Sequence, residues 1–177
     1  MKQTFIFLII TLAACQTSES SFEGSFYDLK GFVGEQIEVL QKDNPTVNKL
    51  MIINDQKEEK EFMDIDWTKE FELLLQCDLN KSAYALSYDV AEANLTETYI
   101  LKAGEDLPVK TLQITKDEKG NVLRIAADMA TENYLFQSKK HLEYDFINRQ
   151  LKNYQIEGTQ SLIIGGEKSF KIVGKVS

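Results

Sequence analysis

From Thr96 to the end of the chain, apolar and polar residues alternate with a period of two, and this restricts the fold more than any other feature of the 177 residues. A strand sends successive side chains to opposite faces, so the pattern builds a sheet with one face in a core and one in water. Tyr99 and Leu101 alternate with Ile100 and Lys102. Leu112 and Ile114 share a face after Pro108, and Leu123, Ile125 and Ala127 continue beyond the turn signal Asp117-Glu118-Lys119-Gly120. Tyr134, Phe136, Leu142, Tyr144 and Phe146 form the next inward set; Ser138 and Lys140 interrupt it, which predicts a bulge or break there. Asn148-Arg149 turns the chain toward Tyr154 and Ile156, and Leu162–Ile164 runs into Gly165-Gly166. Phe170, Ile172 and Val176 close the chain, with Gly174 among them. Links this short join antiparallel neighbours, because parallel strands need long crossovers.

The first half is different. Phe26, Leu29, Val33, Ile37 and Leu40 recur at helical spacing, which predicts an amphipathic helix over 26–41, capped by Ser25 and ended by Asp43-Asn44-Pro45. Gly31 and Gly34 weaken it. Val47–Ile53 and Glu59–Ile65 read as a hairpin around Asn54-Asp55-Gln56. Asp66 can cap a second helix whose stripe is Trp67, Phe71, Leu74, Leu75 and Leu79. Residues 80–94 fit either a strand or a helix. Helices first and strands after predict an α+β domain over 25–177. The expected architecture is a curved antiparallel meander of six to eight strands with two helices packed on one face.

The N-terminus carries an address. Lys2 precedes the ten-residue, mostly apolar run Phe5–Ala14, too short to span a bilayer but long enough for the core of a secretory signal. It ends in Leu12-Ala13-Ala14-Cys15, which resembles the lipobox of bacterial lipoproteins. The resemblance implies removal of residues 1–14 and lipidation of Cys15. It also implies a membrane anchor of several acyl chains, of which two already hold stably. Residues 15–24, Ser-rich and polar, would be a tether. In that family an Asp after the Cys favours the inner membrane, so with Gln16 the resemblance implies an outer-membrane lipoprotein of the bacterial envelope, facing periplasm or cell surface, with the inner membrane left open. Cys77 would then be the sole thiol, so no intrachain disulfide is possible.

Twenty Lys+Arg against 28 Asp+Glu give a net charge of −8, without the basic footprint that a nucleic-acid partner requires. One His and two Cys leave little for a metal site, and no cofactor motif is present. His141 alternates with Lys139 and Glu143 on the polar side of its strand, which suits a solvated residue better than a catalytic base. Cys77, on the flank of the second helical stripe, suits a buried hydrophobe. No catalytic or metal residue stands out, and a non-enzymatic role is expected. The inward aromatics Tyr99, Tyr134, Phe136, Tyr144, Tyr154 and Phe170 either fill the core or line a cavity for an amphiphile. Three readings follow: an interaction or scaffold protein with an envelope partner, a lipid carrier with a cavity between sheet and helices, and a hydrolase built on two carboxylates. A large apolar cavity would favour the second; a filled core with an exposed apolar patch above roughly a few hundred Å² would favour the first.

Overall fold

The computed structural model describes residues 26–162 and 164–177. Cys15, its lipobox, the tether over 15–24 and the cap expected at Ser25 lie outside the described residues. The chain is mainly β: helix α1 (Leu29–Asp43), strands β1 (Val47–Ile53) and β2 (Gln56–Phe62), and short helices α2 (Trp67–Glu70) and α3 (Glu72–Gln76). A 3-10 turn at Ser82–Tyr84 leads into β3 (Tyr88–Ala93), β4 (Thr96–Leu101), β5 (Val109–Lys116) and β6 (Val122–Glu132). Strands β7 (Phe136–Ile147), β8 (Gln150–Leu162) and β9 (Gly166–Val176) follow. All nine strands form one sheet in the order β2-β1-β9-β8-β7-β6-β5-β4-β3, with every neighbour antiparallel. The meander therefore runs unbroken from β3 to β9, and β9 then pairs with β1. Among the described residues strands β2 and β3 are free edges, so this sheet is open.

The strand total exceeds the expected six to eight because Tyr88–Ala93, where strand and helix patterns competed, is extended. Three hairpins turn on two residues that both have positive φ and begin with Asn: Asn54-Asp55, Asn94-Leu95 and Asn148-Arg149. That backbone matches the right-handed twist of the flanking strands, and Asn tolerates it best after Gly. The tight Asn54-Asp55 turn starts β2 at Gln56, three residues earlier than the apolar pattern suggests.

Helix α1 is capped by Asp28, not Ser25. The Asp28 carboxylate accepts from the Gly31 N–H at 2.9 Å, while the Phe26 N–H is held by Asn80 Oδ1 at 3.1 Å. A Cβ on Gly31 would collide with that carboxylate, so this glycine belongs to the cap. The predicted second helix is split at Phe71 (φ −90°, ψ 0°) into α2 and α3. Its stripe survives: Trp67, Phe71, Leu74 and Leu79 are buried.

Both helical segments cover one face of the sheet, here the inner face. Tyr144 stacks between Phe71 (5.6 Å) and Tyr154 (5.9 Å), and Trp67 lies 6.3 Å beyond Phe71. Opposite Tyr154 on β9 stands Gly174, where any Cβ would run into the tyrosine ring. Glu70 joins helix to sheet: it accepts from the Tyr154 hydroxyl and from Lys49 Nζ, both at 2.5 Å. Phe32 of α1 meets Phe146 edge-on at 5.0 Å. Gln36 donates to the Arg149 carbonyl and accepts from the Leu151 N–H, binding the helix to the β7–β8 turn.

Two expectations need correction. No bulge occurs at Ser138 or Lys140; β7 pairs regularly there, and its irregularity lies between Asp145 and Phe146. Ser138 and Lys140 point to the inner side of the sheet but are only half buried, so their polar side chains keep access to water. Tyr134 is not inward: it stands 81% exposed in the β6–β7 turn, where the Asn133 carboxamide oxygen accepts from the Leu135 and Phe136 N–H groups. That turn sets the strand to begin at Phe136. Among the described residues, no helix is long and apolar enough to cross a membrane.

Candidate functional site

The same alternation that fills the inner face lines up polar residues on the outer one. Thr111, Asp128, His141, Glu157 and Lys171 are direct cross-strand neighbours from β5 to β9, one residue per strand, and Ile52 of β1 ends this stretch of the row. Neighbours of this kind stand close enough to hydrogen-bond. Asp128 accepts from the Thr111 hydroxyl on one oxygen and pairs with His141 Nδ1 on the other, each at 2.7 Å. Glu157 accepts from Lys171 at 3.1 Å and from Gln155 at 3.2 Å. Burial works to raise the Asp128 pKa, but the Thr111 and His141 hydrogen bonds outweigh it and hold the carboxyl below its ordinary value.

Alongside this row, Ala130, Lys139, Thr159 and Ser169 form a second row of paired outer positions. Their side chains are small apart from Lys139, so no bulky group stands above the sheet. The result is an open groove of about 540 Å³. Its lining includes Ile52, Lys110, Asp128, His141, Glu157, Thr159, Phe170 and Lys171. A bulge between Val109 and Thr111 leaves Lys110 without a cross-strand partner, at the groove's margin.

A carboxylate on Nδ1 can orient a histidine to act as a base through Nε2. Here Nε2 faces Glu143 at 3.8 Å, and among the described residues no hydroxyl or thiol hydrogen-bonds to the ring. Cys77 is buried on the other side of the sheet; its Sγ donates to the Leu73 carbonyl, and burial pushes its thiol up to about 12. Among the described residues no three His, Cys, Asp or Glu side chains gather as metal ligands.

The six aromatics that could fill the core or line a cavity do not gather in one place. Tyr144 and Tyr154 are packed together in the core. Tyr99 is buried beside Phe26, donates to Glu97 at 2.6 Å and accepts from the Tyr27 N–H at 3.1 Å. Tyr134 is in the exposed turn. Phe136 is half buried where β7 starts, opposite Leu162. Phe170 shares the inner face with Ile172, half buried against the core, its ring lying against Gly158 of β8. Asp128, Lys139, Glu157 and Lys171 were not singled out by the sequence. One signal was available: Asp128 and His141 are equally far from the Glu132–Gln137 pair that closes the β6–β7 hairpin. No protein-family model matches this chain, and no curated protein is significantly similar to it.

Proposed function

We propose that the protein is a lipid-anchored component of the bacterial cell envelope that acts by binding, without chemistry of its own, through the outer face of its sheet. The observation that carries this reading is the contrast in filling. Trp67, Phe71, Tyr144 and Tyr154 occupy the space between helices and sheet, whereas the outer face keeps an open groove. A carrier holding a lipid between helices and sheet would need that inner space. A carboxylate-based hydrolase draws no support from Asp128 and Glu157: Asp128 is engaged on both oxygens, and Glu157 is tied through Oε2 to Lys171 and Gln155. The anchor rests on Leu12-Ala13-Ala14-Cys15, and the acyl chains it implies suffice for stable attachment.

The anchor is tested by expressing the full chain in a bacterium fed labelled palmitate. The wild type should take up label and sediment with membranes. Cys15→Ser should lose the label and leave the membrane fraction. An unlabelled wild-type chain would overturn the anchor.

A further inference from the structure

We infer that the outer groove is a binding site for an oxyanion, phosphate or carboxylate, carried on a small apolar body. The inference rests on the reading of the outer face as the binding surface and names what it binds. The charges carry it. The chain as a whole is acidic, at −8, yet Lys110, Lys139, Lys171 and the only histidine line this one groove, against two carboxylates. Both carboxylates are engaged. Asp128 is held on both oxygens by Thr111 and His141, and Glu157 is held by Lys171 and Gln155.

Lys139 is the groove's free cation among the described residues. It projects from the middle of β7 on the outer face, is exposed, and makes no ion pair among the described residues. Lys110, at the bulge, reaches only the well-exposed Asp106, at 3.6 Å. Such an exposed pair contributes little and yields readily to a better acceptor. Lys171 has two more N–H donors than the one given to Glu157. Three ammonium groups thus border a floor of Ala130, Thr159 and Ser169, whose two hydroxyls can donate to the same anion. Ile52, beside Lys171, and Ala130, beside Lys139, supply the apolar part of the groove, which is why an anion with an apolar body fits better than a bare ion.

The test uses the full chain in a neutral detergent, followed by amide chemical shifts during titration with phenylphosphate and with inorganic phosphate. Phenylphosphate should bind saturably in the millimolar range and more tightly than phosphate, moving the amides of Ala130, Lys139, Thr159 and Ser169 together. The double variant Lys139→Glu/Lys171→Glu should weaken it at least tenfold. Lys119→Glu, which makes the same kind of charge change in a distant turn, should leave it within twofold. A second arm separates the sources of the anion: sedimentation of the Cys15→Ser chain with phosphatidylglycerol vesicles against phosphatidylcholine vesicles. Binding to the anionic vesicles that is lost with Lys139 identifies a lipid headgroup; phenylphosphate binding without vesicle binding identifies a solute. The inference is overturned if no amide moves, or if the shifts are indifferent to the double variant. Shifts confined to the inner face would overturn the outer-face reading as well. Palmitate labelling reports on the anchor independently of all these results.

Discussion

On β7, Leu142, Tyr144 and Phe146 are at most 2% exposed, while the residues between them, His141, Glu143 and Asp145, face water on the other side of the same strand. The inner three are held by area removed from water and by close aromatic packing. The outer three are held by cross-strand charge pairs: His141 to Asp128, and Glu143 and Asp145 to Arg124. Fully burying a large apolar side chain contributes roughly 1.5–3 kcal/mol, whereas an exposed pair contributes about 0–1 kcal/mol. One face therefore fixes the fold, and the other is free to change without unfolding it. Recognition can be built on the outer face because stability depends on it only weakly.

The contrast is broken most directly by Phe71→Ala, which opens a hole between Trp67 and Tyr144. Urea unfolding should show a loss of about 3–5 kcal/mol. A loss below 1 kcal/mol would mean that the inner layer is loosely filled and would return the carrier reading to favour. Next in size is Glu70→Ala. It leaves Lys49 and the Tyr154 hydroxyl without their shared acceptor in a mostly buried setting, at a cost on the order of 2 kcal/mol by the same measurement. This inner polar contact should cost more than any single pair on the outer face.

The smallest effect belongs to Asp128→Asn, whose side chain is 56% exposed in the native protein. Screening holds the expected loss to about 0.5–1 kcal/mol at neutral pH. The native carboxyl titrates below its unfolded value of about 3.9, so its stabilisation is present above that pH and is lost as pH falls through the lowered value. Stability curves of wild type and variant should differ at pH 7 and converge as the pH drops below about 4. A difference that persists in acid would show that Asp128 acts through packing rather than charge.

The strands were legible because burial on one face forces alternation, and alternation survives in any single sequence. The start of α1 was not: Ser25 and Asp28 are both good caps, and the choice rests on Asn80, far along the chain, gripping Phe26. Tyr134 misled because an aromatic in an alternating run looks like a core residue, while the turn that exposes it is set by Asn133. That misplacement also hid the site. His141 belongs to the polar side as its neighbours Lys139 and Glu143 imply, but its partners depend on three successive hairpin registers. Register follows from turn position, and a turn placed one residue off reassigns every cross-strand neighbour. Helical spacing likewise found the stripe from Trp67 to Leu79 but gave no sign of the break at Phe71.

The position of β9 between β8 and β1 has a consequence for assembly in time. The hairpin made first, β1–β2, can join the sheet only through the strand made last. Until residues 166–176 take their place, that hairpin has no neighbour in the sheet, and β8 offers an unpaired edge along its whole length. Loop closure across more than a hundred residues is therefore the final step, and it is the kind of long-range pairing that slows folding and prolongs exposure to aggregation. The strongly charged β2, with Lys57, Glu58, Glu59, Lys60 and Glu61 in succession, keeps the early hairpin soluble while it waits.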